Sequence, residues 1–473
     1  MTETWIENRT FDEISFGESA SLVRRVTQRD IDLFAAVSGD INPAHLDEDY
    51  AKASRFHGII AHGILEGALI SAVLGTKLPG PGTIYLEQEL KFLKPVRPDD
   101  TLTVSVTAQL KDPIKKIVIF DCLCVNQKQE TVLTGKAVVI APTEKVRRPA
   151  SEVPEIALYR HNRLRQLIEA ARSFPLLRTL VVHPCDAVAL EGMDLAAREG
   201  LITPVLIGNE ERIRAVAALA GITIESYEIV PAPHSHAAAA LAVEMIHAGK
   251  GDALMKGSLH TDELMSAVVD GAGGLCTDRR MSHVFVLDAP AYKWPLLISD
   301  AALNVAPNLM EKADICQNAI WLAQDLGVET PKVALLAATE DVNARMPATL
   351  DAAALSKMAE RGQIIGGLVD GPLAFDNAIS MDAVRIKHIT SAVAGQADIL
   401  IVPCIETGNA LVKQLDYLGA SESAGIVLGA QVPIILTSRA DTAQNRLASA
   451  ALAVIAVAGE KKRHAAKTLQ DKT

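Results

Sequence analysis

Residues 39–47 read GDINPAHLD and set two proton-handling side chains, Asp40 and His45, five positions apart on either side of Asn42 and Pro43. A carboxylate and an imidazole titrate at different pH, so one short segment carrying both can hold a water molecule, take a proton from it and return one elsewhere. The elements that must position the pair are readable. Thr27, with Asp30 three residues later, starts a helix; Ile31, Phe34 and Ala35 give it an apolar face, and Gly39 stops it, leaving Asp40 just outside. Asn42 precedes proline and is pushed out of the α region, so the chain turns before Leu46 and Tyr50 open a second short helix. Then comes FHGIIAHGILEGALISAVLG, in which Glu66 alone is charged. It is too apolar for a surface helix and too short for a membrane span, and it reads as a buried helix. Its first turn, near His62 and Gly63, presents unpaired backbone amides to a carbonyl oxygen that gains charge. His57 and His62 have no matching partner in the sequence and read as structural.

From Thr83 to Ile140 the pattern changes to β-branched and alternating segments, TIYLEQELKFLKPV, TLTVSVTAQL, KIVIFDCLCVN and ETVLTGKAVVIA, broken at residues 98–100, 111–113 and 127–130. An antiparallel sheet wrapped around one buried helix follows, an α+β arrangement. Residues 10–141 resemble the MaoC-like (R)-specific enoyl-CoA hydratases of the hot-dog fold, whose motif Asp-x-Asn-Pro-x-His stands here as Asp40, Asn42, Pro43 and His45. The resemblance implies that Asp40 and His45 are catalytic, that Asn42 and Gly63 contact the substrate, Gly63 as an oxyanion donor, and that the substrate is an acyl-CoA. One sheet edge and part of the substrate tunnel are exposed in a single copy of such a domain, so a homo-oligomer, at least a dimer, is expected through it.

A chain of 473 residues predicts about three domains. Its 49% hydrophobic residues can fill large cores. The opening MTETWIENRT has no basic region or apolar core, and no stretch reaches about 20 apolar residues, so neither export nor membrane contact is expected and the cytoplasm is the expected compartment. Cys122, Cys124, Cys185, Cys276, Cys316 and Cys404 lack ligand spacing; Cys122 and Cys124 share one face of a strand and read as packing residues. A net charge of -11 argues against nucleic acid as a partner, so an anionic ligand must meet local cations. Residues 142–157, with three prolines and mixed charge, read as a linker to a domain at 158–465.

Beyond the linker, strand-length apolar runs such as LVVHP, PVLIG, DALMKG, HVFVLDA, PLLISDA, KVALLAA and PIILTSR alternate with helical stretches. Alternation of this kind means an α/β domain with a largely parallel sheet, which binds ligands beyond the carboxyl ends of its strands. Four junctions carry polar residues: Lys256 to Ser258, Asp300 with Asn304, Glu406 to Asn409, and Ser438, Arg439 and Asp441. Helix starts there can hold an anion. There is no GxGxxG, no Walker lysine and no acidic cluster, so neither a nucleotide nor a metal is expected, and a phosphorylated non-nucleotide substrate fits better.

The stretches ADILIVPCIETGNALVKQL, AGIVLGAQVPIILTSRAD and MKGSLHTDEL make this half similar to the phosphate acetyltransferase and phosphate butyryltransferase family. The resemblance implies a two-lobed, isocitrate/isopropylmalate dehydrogenase-like domain that exchanges CoA for inorganic phosphate on a short acyl group. CoA would be a substrate, with no permanently bound cofactor. Ser438 and Arg439 match the family's Ser-Arg pair, Arg439 neutralising the phosphoryl oxygens of the acyl phosphate and Ser438 bonding the reacting centre. Lys256, Asn304 and Asn409 stand at the substrate-facing junctions; for Lys256 a salt bridge between lobes is the other reading. The acetyl branch carries an aspartate seven residues after the serine, where this chain has Asn445, and arginines where it has Met265 and Tyr417, which moves it toward the butyryl-like branch. Asp441 is either a substitute base or the N-cap of the next helix. Two other readings of this half stand beside the first: an NAD- and metal-dependent hydroxyacid dehydrogenase, and a non-catalytic assembly module.

Overall fold

The computed structural model describes residues 5–149, 163–271, 273–292, 295–437 and 441–470. The chain divides into two compact units, Met1–Tyr159 and Arg160–Thr473.

The first unit runs through β1 (Trp5–Glu7), β2 (Ser19–Arg25), α1 (Gln28–Ser38), α2 (Pro43–Leu46), α3 (Glu48–Ala53), α4 (Gly63–Thr76), β3 (Ile84–Phe92), β4 (Thr101–Asp112), β5 (Ile117–Val125), β6 (Thr131–Ile140) and β7 (Arg147–Pro149). Five strands form one antiparallel sheet in the order β2-β4-β5-β6-β3. It wraps α4, which buries Glu66, Ile70, Val73 and Leu74 along one stripe. The opposing sheet face supplies Leu102, Val104, Val118, Phe120, Cys122, Cys124 and Val139. Each large apolar side chain so buried contributes roughly 1.5–3 kcal/mol. This is the expected hot-dog arrangement, and Cys122 and Cys124 pack as expected. Three strands were not legible: β2, whose SASLVRR has a half-exposed edge pattern, β1, and its partner β7, which falls inside the expected linker. The rest of that linker, residues 150–157, lies outside the described residues.

The strands of the second unit are β8 (Leu177–Val182), β9 (Ile202–Gly208), β10 (Glu228–Pro231), β11 (Ala253–Lys256), β12 (Ser282–Asp288), β13 (Leu296–Ser299), β14 (Lys332–Leu336), β15 (Leu368–Leu373), β16 (Ile399–Ile401), β17 (Glu422–Leu428) and β18 (Ile434–Ile435). Its longer helices are α5 (Arg163–Ala171), α6 (Ala187–Arg198), α7 (Glu210–Ala220), α8 (Ser235–His247), α9 (Thr261–Val268), α10 (Leu309–Asp325) and α11 (Pro347–Glu360), followed after the short α12 (Phe375–Ile379) and α13 (Met381–Ile386) by α14 (Ile405–Tyr417) and α15 (Ala443–Gln470). Among the described residues the strands form one sheet in the order β10-β9-β8-β11-β18-β17-β12-β13-β16-β14-β15.

The sheet is more mixed than alternation alone predicts. β10, β9, β8, β11 and β18 are mutually parallel, and so are β13, β16, β14 and β15. Between these blocks β17 and β12 pair antiparallel with each other and with their outer neighbours, so the two blocks run in opposite directions. Residues 289–295 and 429–433 are too few to cross over the sheet, which forces the reversals. The blocks meet at His283 of β12: its Nε2–H donates to the Leu436 carbonyl beyond β18 (3.2 Å), and its own carbonyl accepts from Ser299 Oγ at the end of β13 (2.9 Å).

Candidate functional site

In the first unit the site begins at the end of α1. Thr27 and Asp30 form the capping box, and Gly39 takes the left-handed conformation at φ 74°, which a side chain would resist. Asp40 follows and is exposed; its Oδ1 accepts the Asn42 N–H at 3.2 Å. Asn42 holds the extended conformation that Pro43 imposes (ψ 126°) and accepts the Ala44 N–H at 3.1 Å as N-cap of α2. His45 therefore lies inside a one-turn helix of its own, not in the turn ahead of the next one. It is 8% exposed, and its Nδ1–H donates to the Ile60 carbonyl at 2.8 Å. That bond puts the proton on Nδ1 and leaves Nε2 with a lone pair.

His62 joins this pair, contrary to its reading as a structural residue. It is the N-cap of α4, makes no side-chain cap bond and is 3% exposed. Its ring lies 3.9 Å from the His45 ring between centroids, its Nε2–H donates to the Asp40 carbonyl at 3.0 Å, and its Nδ1 is buried with no hydrogen-bond partner. One polar atom from each of Asp40, His45 and His62 falls within 4.8 Å of the others. Gly63 opens α4 beside them; a Cβ there would meet the Phe92 ring at 3.0 Å. Glycine is thus the residue that lets the first-turn amides and the Phe92 ring coexist. Glu66, one turn further, is buried with Oε2 unpartnered, and burial pushes its carboxyl up to about 8. Its isolation in an apolar helix was the available signal.

In the second unit Lys256 is buried at the end of β11, its ammonium donating to the Leu259 carbonyl at 3.2 Å. Asp300 is buried beyond β13, where its carboxylate accepts the N–H groups of Ala302, Leu303 and Asn304. Asn304 is buried too; it donates to the Met281 carbonyl (2.8 Å) and accepts from Arg280 Nε (2.6 Å). Arg280 also pairs with Glu311 at 3.2 Å. Arg280, Asn304, Met265 and Leu303 line a cavity of about 640 Å³, which makes Arg280 a candidate anion contact that sequence reading passed over. Asn409 Nδ2 donates to the Ala301 carbonyl at 3.4 Å. Tyr417 is exposed at the end of α14.

Ser438 and Arg439 lie outside the described residues. The chain on either side of them is held. Thr437 Oγ1 accepts from Arg446 Nη1 at 2.8 Å, and Thr442 Oγ1 accepts the Asn445 N–H (3.2 Å) while donating to Asn445 Oδ1 (2.9 Å). Thr442, not Asp441, is therefore the N-cap of α15, and Asn445 is its third residue. Asp441 bears electrostatically on Arg446, whose guanidinium burial holds below its ordinary value.

Comparison with known proteins assigns both units. The sequence model described as Phosphate acetyl/butaryl transferase matches residues 232–454, and that described as MaoC like domain matches residues 17–121. The phosphate acetyltransferase of Rhizobium meliloti is 56% identical over 290 residues, covering 61% of this chain and 92% of the relative. A branched-chain phosphotransacylase from Enterococcus faecalis V583 superposes with a TM-score of 0.52 at 30% identity, covering 59% of this chain and 99% of that one. The R-hydratase PhaJ1 from Pseudomonas aeruginosa, TM-score 0.32, is 43% identical over 33% of this chain and 99% of its own. The chain belongs to the phosphate acetyl/butyryltransferase family and carries a MaoC-like domain ahead of the transferase domain.

Proposed function

We propose that the protein is a bifunctional acyl-CoA enzyme. The first unit adds water to a short trans-2-enoyl-CoA to give the (R)-3-hydroxyacyl-CoA, or runs the reverse; the second exchanges CoA for phosphate on an acetyl or butyryl group. What carries the reading is one chain that couples the Asp40, His45 and His62 cluster at a helix start to a domain 56% identical to a phosphate acetyltransferase over 92% of its length. Both activities use CoA thioesters.

In the hydration, the first-turn amides of α4 at Gly63 receive the thioester oxygen and draw charge from Cβ. Asp40 and His45 hold the water, one takes its proton as the C–O bond forms, and a proton returns to Cα. Asn42 fixes the turn between them. In the transfer, the CoA thiolate attacks the acyl phosphate carbonyl, the tetrahedral centre collapses and inorganic phosphate leaves. Arg439 neutralises the phosphoryl oxygens, Ser438 bonds the reacting centre, and Lys256, Asn304, Asn409, Asp441 and Asn445 surround the substrate. A thiol of pKa about 8.5 is already a few per cent thiolate at neutral pH, so a strong base is dispensable.

The opposed parallel blocks meeting at β17 and β12 favour a two-lobed, isocitrate/isopropylmalate dehydrogenase-like reading of residues 158–465, after a hot-dog domain at 10–141. The edge strand β3 exposes Ile84, Leu86 and Phe92, which favours a homo-oligomer through the first unit. Among the described residues no helix is long and apolar enough to cross a membrane. The test is a pair of assays on the full chain: crotonyl-CoA hydration, and CoA-dependent phosphate release from acetyl, propionyl and butyryl phosphate. Activity in both is expected, and the second also gives the acyl length. A chain without phosphate release from any of the three contradicts the transferase reading.

A further inference from the structure

We propose that Asp40, His45 and His62 form a site for one divalent transition-metal ion, held by a carboxylate oxygen, His45 Nε2 and His62 Nδ1, in competition with the water that the hydration reaction uses. Each group has its other atom tied to backbone. His45 gives its Nδ1–H to Ile60 O, His62 gives its Nε2–H to Asp40 O, and Asp40 Oδ1 takes the Asn42 N–H. Such outer bonds fix the tautomer and aim the remaining lone pair, as they do for imidazole ligands of metals.

One atom from each residue falls within 4.8 Å of the others, and His62 Nδ1 is buried without a partner. A single water has two hydrogens and cannot satisfy three acceptors at once. A cation with open coordination positions satisfies all three. Bond lengths of about 2.0–2.2 Å put the ligand atoms of a tetrahedral site about 3.4 Å apart. Some closure is required, and Asp40, beyond the glycine that ends α1, is the exposed member of the three. Two imidazoles and one carboxylate suit zinc, cobalt or ferrous iron over magnesium or calcium. The geometry is local to residues 40–62, so it stands or falls apart from any activity.

The test is calorimetric titration of the metal-free full chain with zinc chloride. One binding event per chain is expected, weakened at least about tenfold by Asp40→Ala and by His62→Asn. It should persist in His236→Ala, which removes the neighbour of His234 in the exposed histidine pair of the second unit. Asp40 is exposed, so its variant tests the site even if His62→Asn fails to fold. An event unchanged in Asp40→Ala, or abolished in His236→Ala, overturns the proposal. Zinc should also inhibit crotonyl-CoA hydration and EDTA restore it. Undiminished hydration at saturating zinc overturns the competition, whereas zinc binding by a chain that hydrates nothing leaves the metal site standing and removes the hydratase reading.

Discussion

In the first unit Asp40, His45 and His62 reach one point from the end of α1, the single turn of α2 and the start of α4, all within residues 40–62. In the second unit the described candidate residues stand at the ends of β11 and β13, just after β16 and at the start of α15, spread over residues 256–445. The first site is therefore set by local backbone devices, namely a glycine stop, a proline-constrained N-cap and an uncapped helix start. The second is set by the register of an eleven-stranded sheet. A local site tolerates little change within it; a strand-end site also depends on the pairing of strands far apart in the chain.

The sharpest way to break this comparison is to remove the two proton-handling groups. Asp40→Asn and His45→Ala should each lower crotonyl-CoA hydration by about 10²–10⁴-fold, the contribution of a positioned acid or base. Phosphate release from acyl phosphate should stay near wild type, because the sites lie in separate units and distant effects add independently. Retention of more than about a tenth of the hydration by His45→Ala would mean a structural motif. Next is Arg439→Ala, for which a loss of acyl transfer of about 10² is expected from removal of a preorganised charge, with hydration unchanged. A loss under about threefold moves the anion contact elsewhere, with Arg280 in its 640 Å³ cavity the first candidate.

The same contrast explains what was legible. The capping box at Thr27, the stop at Gly39, the extended Asn42 and the start of α4 at Gly63 are decided within a few residues, and all can be read from the chain. His62 could not be paired with His45, because a fold across 17 positions, not periodicity, stacks their rings. Asp441 looked like a cap, yet Thr442, one residue on, takes the Asn445 N–H, since a hydroxyl at the last non-helical position reaches it better. β17 pairs antiparallel with β18 because residues 429–433 are too few to cross over the sheet, a reversal that apolar runs do not report. Arg280 gains meaning only from Asn304, 24 positions away.

Glu66 offers a smaller effect, on stability rather than rate. Burial raises its folded pKa to about 8, with Cys124 facing it from β5. The unfolded value is about 4.3, so the folded unit holds a proton that the unfolded chain releases. Stability from this group is complete below about pH 4.3 and falls by up to about 1.4 kcal/mol per pH unit until about pH 8. The urea midpoint of the first unit, followed by loss of hydration activity, should drop between pH 5.5 and 8, and Glu66→Gln should flatten the drop. An equal drop in the variant would assign the pH dependence to other groups.

The smallest expected effect concerns Asn445, where the resemblance to the acetyl branch leads one to expect an aspartate base. Asn445 is the third residue of α15, its N–H and its Oδ1 both engaged by the Thr442 hydroxyl. An aspartate can keep the same acceptor role, and a negative charge in the first turn gains about 0.3–1 kcal/mol from the helix dipole. Asn445→Asp should therefore be slightly more stable than the parent, with acyl transfer from butyryl phosphate to CoA altered by less than about threefold, because the thiolate fraction at neutral pH already suffices. Rates measured from pH 6 to 8 sharpen the test, since an added base matters most where thiolate is scarce. A gain of tenfold or more at pH 6 would show that proton removal limits this transferase and that the second site, unlike the first, lacks a proton-handling group it could use.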